Sequence, residues 1–140
     1  MSEIRAEVEQ LLIGAAACLE TADFLSKAPG APASAVFKAY DLAVDAINAV
    51  SRAYWKHAGH GFDPRTDSQA KIMREIVRTA RRAGLKAVPD EDDLHTMIEA
   101  RNGSVHQGLA SATSIEQAQV AIRIAGEYTA VVRRMISAPH

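Results

Sequence analysis

The chain has 140 residues and a mass of 15.0 kDa, a length that suits one domain with its own core and is short for two. Hydrophobic residues make up 48% and charged residues 24%, which excludes a disordered or fibrous chain. A formal net charge of -1 excludes a uniformly basic nucleic-acid coat and leaves a local basic patch open.

Glycine and proline divide the sequence into five helical stretches, and the Ala-rich, aromatic-poor composition agrees, since Ala loses no side-chain entropy in a helix. The first is expected from Ser2 to Lys27, with Ile4, Val8, Leu11, Leu12, Ala15, Leu19, Ala22 and Leu25 on one face, ending at Pro29-Gly30-Ala31-Pro32. The second is expected from Ala33 to about His57, with Phe37, Tyr40, Val44, Ile47, Val50 and Tyr54 as its stripe and Gly59-His60-Gly61 as its stop. The third starts near Thr66 or Asp67 and runs to Arg82; Ile72, Met73, Ile76, Val77 and Ala80 turn inward, and Gly84 caps it. The fourth opens on the acids Asp90 to Asp93, which suit a helix N-terminus, and runs to about Gly108. The fifth opens on a capping box of Thr113 and Glu116 and continues through Ile122, Ala125, Tyr128, Val132 and Met135. No sustained alternation of a strand is present. The expectation is one all-α domain over residues 1–140, an up-and-down bundle of about five helices.

The single cysteine, Cys18, excludes an internal disulfide framework and a multi-Cys metal site, and a reducing cytoplasm is the simplest setting. No run approaches the roughly 18 apolar residues that cross a bilayer. Residues 1–10 carry Glu3, Glu7 and Glu9 and no apolar signal core, so neither a membrane association nor an export signal is expected.

The fourth helix departs from ordinary amphipathic patterning. At about 100° per residue, Leu94, Ile98, Arg101 and Val105 share a narrow sector, which puts Arg101 inside the apolar stripe. A charge there needs a partner or an opening. Beside the stripe runs a polar row of His95, Glu99, Asn102 and His106. On patterning alone two readings stand: a rim arginine with its stem buried beside plain surface residues, or a chemical site.

Arg101-Asn102-Gly103-Ser104-Val105-His106 resembles the signature of the HEPN superfamily, an Arg followed after four to six residues by His, often with Asn directly after the Arg. The likeness spans six to eight residues, in the penultimate helix of a short helical chain. It implies a homodimeric bundle whose motif helices face each other. It also implies a metal-independent endoribonuclease activity, as found in toxins and in antiviral or RNA-processing systems, with RNA as substrate and no cofactor or metal. On that reading Arg101, Asn102 and His106 are the catalytic set. Cutting RNA without metal takes a base, an acid and positive charge for the phosphorane. His106 suits proton transfer near neutral pH, Arg101 suits two phosphate oxygens, and Asn102, one turn before His106, suits positioning. One branch of the family pairs with nucleotidyltransferases and carries a Tyr two residues after the His; here that position is Gly108, so neutralisation by that route does not carry over.

The third helix places Lys71, Arg74, Arg78 and Arg81 at three-, four- and three-residue spacing. They could track an RNA backbone as substrate-binding residues, or form a solvated face paired with the acids at Asp90 to Asp93. Tyr54 and Trp55 suit base stacking or, in a chain with few large anchors, the core. His57, His60 and Asp63 sit in a turn, Asp92 and His95 lack a second such motif, and no metal site is expected. Two functions follow: an endoribonuclease using Arg101 and His106, or a non-catalytic helical module that binds RNA, nucleotide or a partner protein, such as an antitoxin or a nucleotidyltransferase.

Overall fold

The computed structural model describes residues 2–60, 68–107 and 113–138, and the side chains of all of these except 2 and 103–107. The described residues form five helices and no strand: α1 (Ser2–Lys27), α2 (Ala33–His57), α3 (Gln69–Arg82), α4 (Glu91–Gln107) and α5 (Ile115–Ser137). They pack as a bundle in which α2 touches all four other helices. None of these helices is long and apolar enough to cross a membrane.

Local chemistry sets the ends. At the end of α2, Gly59 takes φ +89°, and two hydrogen bonds close the turn: Gly59 N to Lys56 O at 3.0 Å and His60 N to Trp55 O at 2.9 Å. The same pair recurs after α3, where Gly84 (φ +75°) donates to Arg81 O and Leu85 to Ala80 O. Both are Schellman closures, which need a residue at ease with positive φ. The first also carries a side-chain contact: the Trp55 and His60 rings stack at 4.4 Å. One face of Trp55 therefore serves the helix end.

Two starts differ from the sequence expectation. Helix α3 opens at Gln69, because Ser68 supplies the cap, its Oγ accepting from Lys71 N at 3.1 Å; residues 66 and 67 lie outside the described residues. The capping box of α5 is Ser114 with Gln117, not Thr113 with Glu116: Ser114 Oγ accepts from Gln117 N at 3.1 Å, and Gln117 Oε1 accepts from Ser114 N at 2.8 Å. Both pairs fit the motif, and serine is the better cap.

The core holds all of the expected stripe of α3 and part of each of the others, together with residues outside the stripes. All five inward residues of α3 are buried, each of the larger ones worth about 1.5–3 kcal/mol against exposure. On α2, Val44, Ile47 and Val50 are buried, while Phe37, Tyr40 and Tyr54 are only half-buried. The buried surface of α2 is widened by Ala39, Ala43, Ala46 and Ala53, whose small side chains let neighbouring helices approach on several sides. On α1, Val8, Leu12, Ala15 and Ala22 are buried, whereas Ile4 is exposed. A buried polar link joins α2 to α5. Ser51 Oγ donates to Ile47 O at 2.7 Å and lies 2.7 Å from Tyr128 Oη. A serine hydroxyl has one hydrogen, so Tyr128 is the donor to Ser51.

Candidate functional site

Helix α4 is started by Asp90, whose Oδ1 accepts from Asp92 N at 2.7 Å. Its first turn carries Glu91, Asp92 and Asp93 against the positive end of the helix dipole. Leu94, Met97 and Ile98 are buried and fix the rotation of the helix. That rotation points Arg101 at α2.

Arg101 is held there by two carboxylates. Its Nη1 donates to Asp41 Oδ1 at 3.0 Å and to Asp45 Oδ1 at 2.9 Å, and its Nε donates to Asn102 Oδ1 at 3.1 Å. The Arg101 side chain is 18% exposed, Asp41 17% and Asp45 43%. Lys38 adds a second cation on Asp41, at 3.3 Å. Of the guanidinium's five N–H groups, three are taken by these contacts, and Nη2 bonds to no described residue. The arginine inside the apolar stripe is thus paired and oriented, and among the described residues its Nη2 has no acceptor. Cys18 lies in the same neighbourhood; burial and then Asp45 raise its thiol above the ordinary range.

Asp41 and Asp45 are the site residues that sequence reasoning missed. They stand one turn apart on α2, directly after the stripe positions Tyr40 and Val44. Two carboxylates flanking an inward face are the complement that an inward arginine requires, and that was the available signal.

Asn102 is exposed, with its amide oxygen on Arg101. The backbone of α4 runs helically through Gln107, so residues 102 and 106 are one turn apart; the His106 side chain lies outside the described residues, as does that of Val105. At the other end of the polar row, His95 Nε2 stands 3.5 Å from Glu99 Oε1.

The basic face of α3 reaches the first turns of α4 and not Arg101. Arg78 grips Glu91 through a fork, Nε to Oε2 at 3.2 Å and Nη2 to Oε1 at 3.1 Å. That contact holds the Glu91 carboxyl below its ordinary range and raises the Arg78 guanidinium. Arg81 Nη2 donates to Pro89 O at 3.5 Å. Two of the four basic residues are therefore engaged by the α3–α4 connection, in line with the pairing expected for a solvated face. Lys71, Arg74 and Arg78 also line a groove of about 270 Å³ with Ser68, Glu75 and His95. Among the described residues no group of three or more His, Cys, Asp or Glu side chains is placed to hold a metal ion. Asp63, beside His57 and His60 in the sequence, lies outside them.

Compared with protein-family models, with curated proteins and with solved structures, the chain matches none.

Proposed function

We propose that the protein is a metal-independent endoribonuclease of the HEPN type, acting as a homodimer in a toxin or antiviral role. The observation that carries this reading is the state of Arg101: pinned by Asp41 and Asp45 through Nη1 and by Asn102 through Nε, with Nη2 bonded to no described residue. An arginine whose position is fixed by protein carboxylates loses little freedom when it meets a phosphate, and the electrostatic contribution to catalysis depends on such preorganisation. In this scheme Nη2 of Arg101 donates to a non-bridging oxygen of the scissile phosphate. His106 takes the 2′-hydroxyl proton as that oxygen attacks phosphorus. The P–O5′ bond breaks, and a protonated His106 from the second protomer supplies a proton to the departing 5′-oxygen. The products are a 2′,3′-cyclic phosphate and a 5′-hydroxyl. The need for two imidazoles in opposite protonation states is what a two-fold dimer supplies.

One observation favours a second reading, a non-catalytic module. Asp41 and Asp45 together offset the charge of Arg101, and a guanidinium so paired serves equally to lock α4 onto α2.

The test is cleavage of single-stranded or loop RNA in EDTA, with the ends of the products identified. His106→Ala should remove most activity, since loss of one acid–base partner costs about 10²–10⁴ in rate. Arg101→Lys keeps a cation for Asp41 and Asp45 but loses the planar fork; it should stay folded and lose activity. Full activity in both variants sinks the site, and an absolute need for added divalent metal sinks the mechanism.

A further inference from the structure

Helix α1 carries two large apolar side chains on its outer face: Ile13 is 60% exposed and Phe24 73%. At about 100° per residue, the line through Ala6, Ile13 and Phe24 lies opposite Val8, Ala15 and Ala22, the buried side of the helix that packs on α2 and α5. The face of a helix directly opposite its core ordinarily carries polar and charged residues, so an outward Ile and Phe on one line mark a contact surface. Alternate steps of three and four residues from Glu3 to Lys27 give eight positions, all of them exposed. That spacing is the seam of a helix pair.

The seam is complementary to itself when a second copy runs antiparallel. About a two-fold axis at residue 15, Glu3 faces Lys27, Ala6 faces Phe24, Gln10 faces Glu20 and Ile13 faces Ala17. Each large apolar side chain meets an alanine, and each carboxylate meets a donor. A parallel copy would stack Glu3 on Glu3 and Glu20 on Glu20, so charge selects the antiparallel pair. Lys27 meets Asp23 of its own helix at 3.1 Å, and its ammonium has three donors, enough for Glu3 as well. Gly14 stands beside the axis. A mid-helix glycine costs about 0.5–1 kcal/mol against alanine, yet no atom of another element among the described residues lies within 4 Å of where its Cβ would stand. Its missing side chain serves an approach from outside.

We infer that the outer face of α1 binds the same face of a second copy of this chain, antiparallel, about that two-fold axis. The contact is isologous, each residue pair occurring twice. A single helix pair is at the small end of specific interfaces, so the association is micromolar. This face is separate from Arg101, whose carboxylate partners lie on α2, and it does not depend on the endoribonuclease scheme.

Sedimentation equilibrium of the full chain over micromolar concentrations tests it. The parent should associate reversibly, and Ile13→Ser with Phe24→Ser should halve the assembly mass. Both side chains are exposed, so the helical circular dichroism should stay as it is. Four apolar groups leave the interface, and its dissociation constant should rise at least about hundredfold. Halving is expected whether the parent is a dimer through α1 alone or a tetramer that also pairs through α4, so the failure of one reading is not the failure of the other. Cross-linking checks direction. In a Cys18→Ala chain, Ala16→Cys, beside the axis, should join its own copy through a short bis-maleimide, whereas Ala6→Cys, about 27 Å along the helix from its copy, should not. A parent that stays monomeric, an unchanged mass in the Ile13 and Phe24 variant, or Ala6→Cys joining itself overturns the proposal.

Discussion

Arg101 Nη1 lies 2.9 Å from Asp45 Oδ1, joining α4 to α2 across 56 residues of sequence. With Asp41 on the other side, the guanidinium is counter-charged before any ligand arrives. The contact has a structural consequence that is separable from catalysis. Asp41→Asn with Asp45→Asn leaves a mostly buried cation unpaired and should cost about 1–3 kcal/mol, less than a fully buried pair because Asp45 is partly in water. Adding Arg101→Met should recover most of that loss. Urea unfolding measures both; a double variant as stable as the parent would reduce the clamp to a surface contact.

The Ser51–Tyr128 bond predicts an asymmetry. Ser51→Ala strands the Tyr128 hydroxyl in the core without an acceptor, whereas Tyr128→Phe leaves Ser51 still donating to Ile47 O. The serine variant should lose about 1–3 kcal/mol and the tyrosine variant less, because an unsatisfied buried donor bears the full desolvation cost. Equal losses would reverse the donor assignment.

Alkaline pH should destabilise the fold through the same tyrosine. Burial raises the phenols of Tyr128 and Tyr40 above the ordinary value of about 10. The folded state then keeps protons that the unfolded state releases, so the phenols' contribution to stability is intact below about pH 10 and falls as pH rises beyond it. Unfolding followed from pH 8 to 11 should show that decline, and Tyr40→Phe should make it shallower. A flat profile would mean that neither phenol is protected from ionisation.

Ala87 takes φ +60° in the link between α3 and α4, a conformation that costs a residue with a Cβ about 1–2 kcal/mol. Ala87→Gly removes that strain and adds freedom to the unfolded chain, for a net gain of roughly 0.5–1 kcal/mol. The melting temperature should rise; a fall would mean that the unfolded-state entropy is the larger effect.

The salt dependence of RNA binding separates the two roles of the basic face. Arg74→Glu with Arg78→Glu should weaken binding and flatten its decline with salt, since fewer counterions are released. NMR titration of Glu91 offers an internal control: its carboxyl, now held down by Arg78, should return toward the ordinary glutamate range. Unchanged affinity and salt slope alongside a released Glu91 would leave Arg78 as a helix-to-helix link only.

The sequence by itself determined the helices and one anomaly. Helix ends follow from groups a few residues apart, so Gly59 and Gly84 marked the ends of α2 and α3, and the spacing of Ile72, Met73, Ile76, Val77 and Ala80 gave the buried face of α3. The same periodicity put Arg101 among Leu94 and Ile98 and so required a partner for it. Tertiary structure alone decided who that partner is. Asp41 and Asp45 are 60 and 56 residues away, and their meeting with Arg101 depends on which helices become neighbours and at what rotation. For the same reason the alanines of α2 became core only because that helix lies at the centre of the bundle, and His95 joined the basic residues of α3 only because α4 packs beside them. Periodicity tells which face of a helix avoids water; it does not tell what meets that face, because the free energy of that meeting is shared by residues far apart in the chain.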